Sequence, residues 1–228
     1  MNTSTFCALF DRFFPPQERD APTPGFEQAF VRSFFDPCFL VQGMTSVKNQ
    51  HVMRLAFSCL PESECYFEIG TLQGKILVSV LVNNPPRKAY ACDNFCEFTD
   101  SAERSAQVLR NNLRMFGVED RVTFYNADFR GIMDREHVPE PVGLYLYDAM
   151  HTAEMQYDGI RLAEPLLADE ALVVVDDWNW GEAVEGTNRA IAESRHEWTL
   201  LYELRNDGES NLAKWWNGLG IFRFRRRG

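Results

Sequence analysis

Residues 66–93 read YFEIGTLQGKILVSVLVNNPPRKAYACD. The run 66–69 predicts a short buried strand, the glycines at 70 and 74 a sharp turn, 76–82 a helix, and 89–92 a second strand that stops at Asp93. A strand returning beside its predecessor through a helix lies parallel to it. This βαβ unit sets the reading of everything downstream.

The alternation continues. Residues 101–116 predict a helix, with Ser101 placed to cap it and Gly117 to stop it. Strands follow at 122–125 and 142–147, then a helix over 152–167. The run Ala-Leu-Val-Val-Val at 171–175 suits a central parallel strand buried on both faces. A helix over 182–194 precedes strands at 198–204 and 220–224, which have little helix between them and predict an antiparallel pair at one edge. The fold class is therefore α/β, a doubly wound and mostly parallel sheet with an antiparallel last strand. Upstream, Val52, Leu55, Ala56 and Cys59 recur at helical spacing. Residues 1–40 differ from the rest: prolines at 15, 16, 22, 24 and 37 alternate with Phe13-Phe14 and Phe34-Phe35. We expect short helical pieces there that serve as a lid or oligomerisation segment, followed by one domain over 41–228.

The 228 residues are 45% hydrophobic and 25% charged, which fits one globular unit and excludes a disordered or coiled-coil chain. A net charge of −10 argues against a nucleic-acid binder, which needs a basic face. No apolar run approaches the roughly 18 residues of a membrane span, and the first residues lack the basic start of a secretory signal. Six scattered cysteines in a chain able to build its own core point to reduced thiols and a cytoplasmic setting. The Phe-rich start makes a homo-oligomer the expected assembly.

In an open parallel sheet, ligands sit beyond the carboxyl ends of the strands. Those ends carry Glu68-Ile-Gly70-Thr71-Leu-Gln-Gly74, Asp93-Asn94, Asp128-Phe129, Asp148 to His151, and Asp176-Asp177. The first lacks the glycine spacing of a dinucleotide site and the lysine-serine pair of a phosphate loop, so polyphosphate ligands are disfavoured. Asp93 is placed to accept the two hydroxyls of a ribose, and Asp128 an exocyclic amine with Phe129 against the ring. Ribose and adenine without a diphosphate describe S-adenosylmethionine. Each residue also has a plainer reading, as a turn or a helix cap.

The segments YFEIGTLQGKI, AYACDNF, VTFYNADF and LYLYDAMHTAEMQYDGIRLAEPLLADEALVVVDDW resemble class I S-adenosylmethionine-dependent methyltransferases, a Rossmann-like fold, over 41–224. The stretch VQGMTSVKNQHVMRLA resembles the lead-in that closes over the cofactor in such proteins. Within the superfamily the macrocin-type O-methyltransferases are the most similar group, with Ala149 standing where glycine is usual and Met150 where aspartate is frequent. The resemblance implies that Glu68, Gly70, Thr71, Gly74, Asp93, Asn94, Asp128, Phe129 and Asp148 bind the cofactor.

Asp148, Asp176 and Asp177 end neighbouring strands, and carboxylates so close need a cation. Mg2+ with Asp148, Asp176 and Asp177 as ligands satisfies them, and helix caps or arginine pairs are the alternative. His151, three residues after Asp148, is the candidate general base, assisted by Asp148. Trp178 and Trp180 are placed to overhang an acceptor pocket, as are Trp215 and Trp216 in the last loop, and core or dimer-contact roles are the equal alternative. The expected activity is O-methylation of a sugar, phenol or natural-product hydroxyl. A cofactor-binding scaffold without transfer activity is the second reading, suggested by Ala149 and Met150.

Overall fold

The computed structural model describes residues 1–22, 40–82, 84–97, 100–208 and 210–228. Seven strands form one sheet: β1 (Cys65–Ile69), β2 (Ala89–Cys92), β3 (Val122–Tyr125), β4 (Val142–Tyr147), β5 (Leu167–Asp176), β6 (Glu197–Leu204) and β7 (Leu219–Arg225). Their order is β3-β2-β1-β4-β5-β7-β6. The first five are mutually parallel, and β7 runs antiparallel to both β5 and β6. The doubly wound sheet is as the sequence predicts, with β7 inserted between β5 and the edge strand β6.

Among the described residues the longer helices are α1 (Thr3–Phe13), α2 (Val47–Ser58), α3 (Lys75–Leu81), α4 (Ala102–Met115), α5 (Ala153–Ala163) and α6 (Gly181–Ala192). Side chains alternate across a strand, and here the alternation sorts them into two cores. Tyr66, Leu144, Leu146, Leu172 and Val174 face α1 to α4, while Phe67, Ile69, Tyr145, Tyr147, Val173 and Val175 face α5 and α6. Glu68 shares the parity of Tyr66, so a carboxylate is carried into the first core, where it is 2% exposed.

Several boundaries shift for physical reasons. The helix expected over 152–167 ends at Ala163, because Pro165 cannot continue the hydrogen-bond ladder. Strand β5 begins four residues earlier than its apolar run, and the intervening polar pair is functional in the fold: Glu170 accepts from the Thr3 backbone N–H at 3.1 Å. In α2 the buried face runs through Val52, Met53, Ala56 and Phe57, so Leu55 and Cys59 lie at its margin.

The described part of the 1–40 segment packs on the domain. Asn2 caps α1, and Phe6 and Phe10 are fully buried, with the Phe10 ring 4.1 Å from that of Tyr202 on β6. Pro24, Pro37 and the Phe34-Phe35 pair lie outside the described residues. The five described cysteines are free thiols, and no described helix is long and apolar enough to cross a membrane.

Register carries this architecture to the site. Ile69 pairs with Cys92 on one side and Tyr147 on the other, and Tyr147 pairs with Val175. The next residues, Gly70, Asp93, Asp148 and Asp176, therefore emerge side by side. Gly70 has φ +86, and a Cβ there would lie 1.7 Å from the Asp148 carbonyl oxygen. We predict that Gly70→Ala costs about 2–4 kcal/mol, from left-handed backbone strain plus the displaced β1–β4 contact. A fall in the denaturant midpoint at unchanged slope would register it.

Candidate active site

A cavity of about 300 Å³ opens at these strand ends. Of the residues singled out from sequence, Glu68, Gly70, Thr71, Asp93, Asn94, Phe129, Asp148, His151 and Asp177 line it. Gly74, Asp128 and Asp176 are not among the lining residues.

Glu68 is clasped by two hydroxyls. Thr71 donates to Oε1 at 2.6 Å and Tyr66 donates to Oε2. Burial pushes its carboxyl up to about 7, against the pull of both hydrogen bonds. Asp93 staples the glycine turn to the end of β2: Oδ2 accepts from the Leu72 N–H and Oδ1 from the Phe95 N–H, both at 2.7 Å. It thus fills its structural role while keeping free acceptor capacity toward the cavity, and burial raises its pKa. Gly74 starts α3 in a left-handed conformation, φ +83. Asp128 caps the turn Phe129–Gly131 and is held by Arg130, which keeps its carboxyl below the usual range. Phe129 and Ala127 form the wall instead.

The ends of β4 and β5 make a second cluster. His151 Nε2 lies 2.7 Å from Asp177 Oδ2. One donor atom each of Asp148, His151 and Asp177 falls within 4.8 Å of the others, a spacing that fits a metal ion. Asp176 stands behind them at 1% exposure, accepting weakly from Asn49 Nδ2 at 3.5 Å. Burial, then the neighbouring carboxylates, push Asp148 well above the ordinary range, and Asp176 follows for the same reasons. His151 Nδ1, Asp177 Oδ1, Asp176 Oδ2 and Trp180 Nε1 are buried without a protein partner. Orphaned polar atoms are uncommon in native interiors, and here they gather beside one cavity.

The four tryptophans singled out from sequence divide two and two. Trp180 lines the cavity with its ring 4.7 Å from His151, and Trp216 lines it from the β6–β7 loop. Trp178 and Trp215 do not overhang the pocket, contrary to the sequence expectation. Trp178 is 1% exposed, donates to Glu203 and packs on Phe222, while Trp215 is buried against Phe14. Sequence reading also missed Ser210 and Asn217 of the β6–β7 loop and Met155 of α5, all of which line the cavity. No periodic or compositional signal marks them.

Comparison with known proteins agrees with this geometry. Residues 67–178 match a family model described as a methyltransferase domain, a span that holds every strand end of the site. Among solved structures, cofactor-bound Rv0187 from MTB superposes with a TM-score of 0.63 at 18% identity, covering 97% of this chain and 96% of that one. The O-methyltransferase TomG of Streptomyces achromogenes, involved in tomaymycin synthesis and in complex with SAM, gives 0.61 at 16%, covering 99% and 100%. An O-methyltransferase from Bacillus cereus in complex with SAH gives 0.60 at 15%, covering 99% and 100%. No curated protein sequence matches. The fold is the one these solved structures share, and residues 67–178 are similar to a methyltransferase domain.

The raised carboxyls set the pH response of the ligand-free protein. Folded Glu68 keeps its proton to about pH 7, whereas the unfolded chain releases it near 4.5. Its stabilising effect is therefore present at low pH and lost as pH rises through that window, about 3 kcal/mol for this group alone. Asp93, Asp148 and Asp176 shift in the same direction. We predict a melting temperature that falls as pH rises from roughly 5 to 8, with a shallower slope in Glu68→Gln.

Proposed function

We propose that the protein is an S-adenosylmethionine-dependent O-methyltransferase of the macrocin-like kind, acting on a hydroxyl of a small-molecule acceptor. The observation that carries this reading is the meeting of two groups around one cavity: Glu68, Gly70, Thr71 and Asp93 from β1 and β2, and Asp148, His151 and Asp177 from β4 and β5. The first group suits the cofactor. Gly70 lets the backbone approach without a Cβ, the buried Glu68 hydrogen-bonds groups entering the turn, and Asp93 keeps acceptor capacity for ribose hydroxyls.

The second group suits the acceptor. Asp177 holds His151 through Nε2 and fixes the orientation of its ring. His151 takes the proton of the acceptor hydroxyl as its oxygen attacks the methyl carbon, and the electrons of the methyl–sulfur bond leave with sulfur. Binding both reactants in line supplies most of the rate gain.

The carboxylates of Asp148 and Asp177, with Asp176 beside Asp148, would hold a divalent cation such as Mg2+. The fit rests on the donor spacing and on the orphaned oxygens of Asp176 and Asp177. When bound, such an ion neutralises the cluster and lowers the pKa of an acceptor hydroxyl.

Calorimetry tests this reading. S-adenosylhomocysteine should bind and NAD should not, and Asp93→Ala should weaken that binding at least about ten-fold, since one carboxylate both shapes the turn and meets the ribose. His151→Ala should leave the binding within about two-fold while lowering methyl transfer by roughly 100-fold or more in a labelled-methyl acceptor screen. Tight NAD binding would overturn the assignment.

A further inference from the structure

The charge of the cavity wall limits what can occupy the acceptor end. Among the described lining residues, Glu68, Asp93, Glu97, Asp148 and Asp177 are acids and Lys75 is the one lysine or arginine. Lys75 opens α3 directly after the glycine turn, and its stem lies against Gly43. It therefore belongs to the β1 end, where the cofactor reading places the donor. The β4–β5 end has His151, already paired with Asp177, and no described lysine or arginine.

That end is walled by indoles. Trp180 stands edge-on to His151. Trp216 is fixed in a left-handed backbone conformation, φ +56, by a set of asparagines. Asn206 accepts from the Trp215 N–H at 2.8 Å and donates to the Trp216 carbonyl, Asn211 pairs with Trp216 through both backbone groups, and Asn217 Oδ1 accepts from the Ser210 N–H at 2.6 Å. This scaffold turns Trp215 into the core and leaves Trp216 on the cavity wall. Indole faces bind flat rings and attract cations. A carboxylate or phosphate carried by the acceptor would lie beside the Asp148 and Asp177 carboxyls, with no described lysine or arginine lining that end to pair it.

We propose that the acceptor is a flat hydroxylated ring that is neutral or cationic, seated against Trp180 and Trp216, and that the acid-lined wall rejects anionic acceptors of the same shape. This rests on the methyl-transfer reading and adds the charge class of its acceptor.

Three catechols that differ in the charge of one substituent test it: 4-methylcatechol, dopamine and 3,4-dihydroxybenzoate, each titrated into the full chain with S-adenosylhomocysteine and no divalent metal. We expect the neutral and cationic rings to bind at least about ten-fold more tightly than the anionic one. Met150→Lys, which places a cation of similar length on the same wall, should narrow the gap at least about three-fold by strengthening the anionic ring. Trp216→Ala should weaken the neutral and cationic rings by about ten-fold or more. Equal or tighter binding of 3,4-dihydroxybenzoate, or no catechol binding while S-adenosylhomocysteine binds, overturns this inference alone. If S-adenosylhomocysteine does not bind, the methyl-transfer reading falls with it.

Discussion

The molecule is organised around carboxylates gathered side by side, three of them buried and two half-buried. Asp148, Asp176 and Asp177 converge at the ends of β4 and β5, with Glu68 and Asp93 at the ends of β1 and β2, and no described lysine or arginine forms an ion pair with any of them. Such a cluster is unfavourable in a low-dielectric interior unless protons, dipoles or a ligand compensate it. The fold supplies partial compensation: hydroxyls of Tyr66 and Thr71 on Glu68, two backbone N–H groups on Asp93, His151 on Asp177, Asn49 on Asp176. The remainder is left for whatever binds there.

Holding these groups together also costs backbone strain. The described non-glycine residues with left-handed φ are Leu72, Phe95, Asp177, Ser210 and Trp216. Four of them line the cavity, and Phe95 lies between Asn94 and Cys96, which do. Strain of this kind persists only where surrounding structure fixes it. Here the fixing contacts are visible: Asp93 holds Leu72 and Phe95, and the asparagines hold Trp216. The cavity is therefore largely preorganised.

The parallel sheet and most of the site were legible in the sequence because both follow from periodicity. A βαβ alternation fixes strand direction, strand direction fixes which ends share an edge, and Glu68, Asp93, Asp148 and Asp177 sit at those ends in one dimension as in three. What stayed hidden depends on contacts between distant residues. Asp128 lies at a strand end, yet Arg130, two residues on, claims its carboxylate. Trp178 and Trp180 look alike in sequence, and the turn at Asp177 sends one to Phe222 and the other to the cavity. Nothing in the sequence marks the polar start of α2, Ser46, Lys48 and Asn49, as buried, and its partners are Arg19, Ala21, Trp215 and Asp176.

The packing of α1 onto the far end of the chain bears on the order in which the protein assembles. Phe6 and Phe10 lie against Tyr202, the Cys7 carbonyl accepts from that tyrosine, and Thr3 meets Glu170. α1 is synthesised long before β5 and β6, so its phenylalanines have no native surface to cover until those strands have left the ribosome. Contacts of such separation slow folding and leave apolar surface open in the interval. This early helix is thus among the last elements to dock, and the Lys48 contacts that tie residues 19 and 21 to Trp215 can close only once the β6–β7 loop is present. Closure of the cavity rim is in this way coupled to the arrival of β6 and the loop that follows it.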